Sequence, residues 1–171
     1  MNKGLVYIKP QGIIYKITSE VREDIKSMFE FEYRSGIFDF IKCIKEIGYV
    51  PIVILSEENE KFNKELKNKL KEELKIENFV LYEEDVVAWP LAKCIKESCD
   101  LTDLSTYSSF LISCKYEDVL AGVVVGCTSV FVYDGNNITH MVYSAGLKEI
   151  IVCEDLENIY CEMYSRTSFG K

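Results

Sequence analysis

Histidine is nearly missing from this sequence: His140 is the only one in 171 residues. That removes most general-base, triad and His-ligated metal chemistry from consideration, and leaves any catalysis to carboxylates, thiols, lysines or backbone groups. A long Lys/Arg cluster is also missing. The 20 basic and 28 acidic residues give a net charge of −8, so neither nucleic acid nor an anionic membrane is an expected partner. No apolar run approaches the roughly 20 residues that span a bilayer. Pro10, Gln11 and Gly12 interrupt the stretch where a signal peptide would need its apolar core. There are seven cysteines but no CxxC pair. The count is odd, and Cys43, Cys114, Cys127 and Cys153 lie in apolar runs, where a free thiol behaves as a small hydrophobe. A cytoplasmic protein with reduced thiols is expected, redox sensing by Cys94 and Cys99 being the sharper alternative.

What the sequence does contain is alternation. Residues 4–9 (GLVYIK) form an apolar run, followed by helical spacing over 37–47 that stops at Gly48, a helix-ending signal. The run at 51–55 (PIVIL) fits a strand buried on both faces. Residues 57–75 carry Phe62, Leu66, Leu70 and Leu74 every fourth position, predicting an amphipathic helix whose charges are a solvated face. Further strands are predicted at Asn78–Tyr82, 109–114, 129–133 and Ile150–Cys153. Helices are predicted at 90–98, 117–124 and 156–164. No linker, repeat or low-complexity segment interrupts the pattern. It specifies one doubly wound, mostly parallel α/β domain over residues 1–171. Such sheets bind ligands outside the carboxyl ends of their strands, which directs attention to the loops 9–12, 55–58, 83–90 and 113–118.

Four stretches in order resemble the haloacid dehalogenase-like phosphatases. GLVYIKPQGII (residues 4–14) is similar to that family's first motif, an apolar strand followed by DxDGT. Arg34-Ser35-Gly36-Ile37 is similar to the segment that leads into the first core helix. The strand reaching Ser56 is similar to the second motif, and FLISCKYEDVLAGVVVG (residues 110–126) matches the spacing of the fourth. The resemblance covers nearly the whole chain. It is closest to the small histidinol-phosphate and heptose-bisphosphate phosphatases, which lack a large cap. It implies a Rossmann-like sheet and, for an active member, phosphomonoester hydrolysis with Mg²⁺.

The positions that carry the family's chemistry are altered. Lys9 and Gln11 stand where the two first-motif aspartates would be. An ammonium cannot form an aspartyl phosphate, and a glutamine exchanges no proton at neutral pH. Ile13 replaces the threonine, the third-motif lysine falls at or near Trp89, and Ser113-Cys114 replaces Gly-Asp, while Asp118, Gly122 and Gly126 remain. With Asp118 the single carboxylate left at these positions, no Mg²⁺ site is expected. The family's Cys/His zinc loop has no counterpart.

The resemblance therefore implies a catalytically inactive relative that acts as a binding or interaction module. Lys9, Ser56 and Asp118 are its candidate ligand-binding residues, toward a phosphorylated small molecule or a protein partner. The plainer alternative for Lys9 and Asp118 is a strand-end ion pair. Two further readings are a phosphohydrolase with rebuilt chemistry, which would need Mg²⁺ or a new nucleophile, and a purely structural subunit. Cys114 is expected to be a buried thiol of raised pKa and a poor nucleophile. His140 is expected to be a surface or half-buried polar residue, and the aromatic stretch 29–33 (FEFEY) to pack. Trp89-Pro90 is expected to plug the site entrance or pack on a helix turn, and Gly122 to let a helix approach a strand closely.

Overall fold

The computed structural model describes residues 2–16, 31–57, 60–82, 89–133, 135 and 137–168. Six strands, β1 (Gly4–Ile8), β2 (Tyr49–Ser56), β3 (Asn78–Tyr82), β4 (Phe110–Ser113), β5 (Thr128–Val132) and β6 (Ile150–Cys153), form one sheet in the order β3-β2-β1-β4-β5-β6. Every pairing is parallel. The strand order reverses at β1, which lies between β2 and β4, so the switch point falls at the carboxyl ends of β1 and β4.

Helices cover both faces because side chains alternate along each strand. Val6 and Ile8 turn toward a core built with α1 (Ile37–Glu46), α2 (Glu60–Leu74) and α6 (Leu156–Ser168). Leu5 and Tyr7 turn toward α3 (Trp89–Thr102) and α4 (Tyr116–Val125). A third cluster joins α4 and α5 (Ile138–Ala145) to β5 and β6 through Val119, Met141, Phe131 and Ile150. Gly122 is what allows α4 to lie this close: a Cβ there would drive into Ser129 Oγ and come within 2.9 Å of Leu111 Cδ2.

Sequence and structure differ in a few places. The helix α5 is not signalled, because its β-branched and aromatic residues Ile138, Val142 and Tyr143 are exposed and give no apolar stripe to read. β2 begins at Tyr49 and carries Pro51 inside a central strand. The ring causes no loss there: β3 pairs with β2 only from Ile52 onward, so Pro51 lacks no ladder bond on that side. β1 ends at Ile8 rather than Lys9, and α2 begins at Glu60 rather than Glu57. All seven cysteines are free thiols, four of them buried. Within the described part of the aromatic stretch, Phe31 packs on Tyr15 and Tyr33, and Tyr33 on Phe38, with ring centroids 4.7–5.1 Å apart. Residues 29 and 30 lie outside the described residues, as do most of the loop 83–90 and the Trp89 side chain. No described helix is long and apolar enough to cross a membrane.

Candidate ligand site at the strand ends

Lys9 directly follows β1, and its N–H donates to Ile112 O at 3.1 Å, which continues the β1–β4 ladder by one residue and fixes which way the side chain leaves. The chain then turns sharply: Gly12 sits at φ 78°, and the N–H groups of Ile13, Ile14 and Tyr15 converge on Pro10 O. Ile13 is fully buried in the core beneath the turn. Across the switch point, β4 ends at Ser113, and Asp118 projects from the first turn of α4.

These elements, with the end of β3, bring four side chains together. The Lys9 ammonium donates a hydrogen bond to the Tyr82 hydroxyl at the end of β3, lies 4.2 Å from the centre of that ring, and stands 4.0 Å from Asp118 Oδ1. The Ser113 hydroxyl donates to Asp118 Oδ2 at 2.6 Å and accepts from the Lys115 N–H at 3.1 Å. Lys9 and Asp118 are each 8% exposed, so neither charge is held by bulk water, and each requires partners inside the protein. Ser56 ends the intervening strand, in register with Tyr82, and its carbonyl accepts from Asn63 Nδ2.

Gln11 and Cys114 meet one layer away. The buried Cys114 thiol donates to Gln11 O at 3.2 Å, and Asn137 Nδ2 bridges Cys114 O and Val132 O at 2.9 and 3.0 Å. The single histidine also belongs to this end of the sheet. His140 Nδ1 accepts from the Tyr116 N–H at 3.1 Å and lies 3.5 Å from Glu117 Oε2, so the imidazole closes the first turn of α4, whose preceding residue Lys115 provides no side-chain cap. Arg34 ties two strand-end loops, donating to Gly12 O at 2.5 Å and Glu154 O at 2.8 Å. Tyr82, Asn137 and the bridging of Arg34 carry no local sequence signal: each acts across strands that are distant in the chain. A groove of about 940 Å³ opens beside Arg34, between the starts of α1 and α6, and neither Lys9 nor Asp118 lines it.

The group set at the switch point is an ammonium, two hydroxyls and one carboxylate whose second oxygen is already engaged by Ser113. Mg²⁺ takes hard anionic and neutral oxygens, and a buried ammonium beside the carboxylate opposes a second cation, so these residues do not fit the metal. Among the described residues, no three of His, Cys, Asp and Glu converge.

Solved structures with the same architecture point in one direction. The fold is that of the haloacid dehalogenase-like phosphatases. The D,D-heptose 1,7-bisphosphate phosphatase of B. bronchiseptica, complexed with magnesium and phosphate, superposes with a TM-score of 0.76 at 14% identity, over 95% of this chain and 99% of that one. The Burkholderia thailandensis enzyme of the same name gives 0.71 at 15% identity, over 95% and 99%. The cobalt-bound deoxy-D-mannose-octulosonate 8-phosphate phosphatase of Haemophilus influenzae gives 0.67 at 11%, over 98% and 90%. No protein-family model matches the sequence, and no curated protein does. The likeness is thus one of fold alone, at 11–15% identity.

Proposed function

We propose that this chain is a catalytically inactive relative of the phosphatases whose fold it shares, and that it works as a binding module for a phosphorylated ligand at the carboxyl end of its sheet. The observation that carries this is the Lys9 ammonium at the end of β1, buried against Tyr82 and 4.0 Å from Asp118. On the resemblance, that position belongs to the attacking carboxylate. An ammonium provides no oxygen nucleophile, but as a compact point charge it is suited to hold a phosphoryl group. Ser56 and the backbone amides of the adjoining turns are the neutral donors within the same set of strand ends.

The rebuilt-enzyme alternative needs a free nucleophile. Cys114, which follows β4, is buried and hydrogen-bonded to Gln11 O, which disfavours it. The test combines turnover and binding. With Mg²⁺ present, no release of phosphate is expected from p-nitrophenyl phosphate or from a panel of sugar and nucleoside phosphates. Titrated inorganic phosphate is expected to shift the amide resonances of Lys9, Ser56 and their neighbours. Metal-dependent turnover that disappears in Asp118→Asn overturns the reading, and so does the absence of any phosphate-dependent shift at the strand ends.

A further inference from the structure

The outer edge of the sheet at β3 carries a second feature, independent of the strand-end cluster. Glu57 N–H donates to Tyr82 O at 3.1 Å. In a parallel pair, alternate residues turn both peptide groups to the same neighbour, so Asn78, Val80 and Tyr82 face β2 while Phe79 and Leu81 turn their N–H and C=O outward. Among the described residues no strand lies on that side, and the only group on Leu81 O is the Cys94 thiol at 3.7 Å. The Leu81 side chain is 44% exposed. An open edge with apolar side chains is a template for pairing.

Beside this edge, α2 presents Lys64, Lys67 and Lys71 at spacings of three and four, all on one helix face. They border a groove of about 490 Å³ whose floor includes Leu81. Lys67 and Lys71 rest over the Phe79 ring, 5.9 and 5.8 Å from its centre. Other helix lysines have carboxylates in reach, as Lys42–Glu46, Lys69–Glu73 and Lys93–Glu97 do. No described carboxylate comes within ion-pair distance of these three. Glu57 and Glu60 lie at the groove's other end, toward the start of α2. Among the described residues these lysines have no carboxylate partner and β3 has no outer neighbour, which in a chain of net charge −8 calls for an anionic occupant.

We propose that the outer edge of β3 accepts an extended acidic peptide segment of another protein, which adds as a seventh strand and sets alternate carboxylates against Lys64, Lys67 and Lys71. Backbone pairing favours a peptide over a nucleic acid, which has no strand of amides to offer. A second copy of this chain is disfavoured, because antiparallel pairing of two β3 edges about a two-fold axis would place two lysine rows side by side.

Fluorescence anisotropy with a labelled peptide of alternating glutamate and valine tests this on the full chain. Expected are saturable binding, loss of binding in high salt, and affinity at least about tenfold weaker in the triple variant Lys64→Glu/Lys67→Glu/Lys71→Glu. A peptide N-methylated at alternate residues should bind as weakly, which reads the backbone pairing without altering the protein. Circular dichroism confirms that the variant is folded. The proposal is overturned by no saturable binding, by equal binding of a single-stranded DNA oligonucleotide, or by affinity unchanged in the triple variant or with the N-methylated peptide. Self-association of the triple variant without peptide binding by the parent chain would mean that the lysines only guard the edge, and also overturns it.

Discussion

Lys9 Nζ and Asp118 Oδ1 stand 4.0 Å apart across the switch point, joining the end of β1 to the first turn of α4 with both charges 8% exposed. Removing one member of a buried pair strands the other charge, whereas removing both need not be costly. Lys9→Met and Asp118→Asn should therefore each lower stability by about 3 kcal/mol, and the double variant should lose less than the sum. Urea denaturation of the four proteins gives the coupling directly. Tyr82→Phe, which deletes the hydroxyl that accepts from Lys9, should cost about 1–2 kcal/mol in the same assay.

The cap that His140 places on α4 is a separate device. His140→Ala leaves the Tyr116 N–H without its acceptor and should cost about 1 kcal/mol. Faster hydrogen exchange at the Tyr116 amide would locate the loss at the start of the helix. Exchange that is faster throughout the protein and unchanged relative to its neighbours would argue against a capping role.

Several thiols are acidic only at high pH, because burial opposes the thiolate. Cys94 and Cys153 are pushed up to about 11 and Cys127 to about 12, and the buried tyrosines Tyr7 and Tyr15 are also raised, mainly by desolvation. The folded state then holds protons that the unfolded chain releases first, near pH 9 for its thiols. Stability contributed by these groups is complete below that pH and is lost as pH rises toward 11 and 12. Denaturant midpoints measured from pH 8 to 11 should fall steadily. Mild alkylation at pH 8 should reach the exposed Cys161 first and spare the buried Cys127 and Cys153 until the protein unfolds.

Gly122 marks the tightest helix-on-sheet approach. Gly122→Ala should cost about 1–3 kcal/mol by overpacking against Ser129 and Leu111. Ser129→Gly added to it should recover part of the loss, since it removes the hydroxyl that the new methyl meets. A thermal melt of the two variants separates this from the intrinsic effect of alanine in a helix, which is stabilising.

How much of this is legible in the sequence depends on whether a feature is local. The strands at Asn78–Tyr82 and Ile150–Cys153 coincide with apolar runs of strand length. The buried stripe Leu66, Leu70, Leu74 coincides with a period of four. Parallel alternation then leaves few topologies. α5 escapes because its exposed Ile138, Val142 and Tyr143 break the link between apolar character and burial. The same limit applies at the strand ends. Lys9 and Asp118 can be placed near each other through motif spacing, but Tyr82 reaches Lys9 from two strands away, and no spacing rule connects residues 9 and 82. His140 is equally hidden: its role is set by the Tyr116 amide, which belongs to a different helix.

The central place of β1 has a kinetic consequence. On one side β1 pairs with β2, Gly4 lying opposite Tyr49, but on the other it pairs with β4, and Leu5 N–H reaches the Ser109 hydroxyl across 104 positions. Closing a loop of that length is slow relative to local pairing. During synthesis the β3-β2-β1 half can assemble first, exposing the inner edge of β1 until residues 110–113 emerge. The end of β1 that carries Lys9 is thus completed late, by the same strand that brings Asp118.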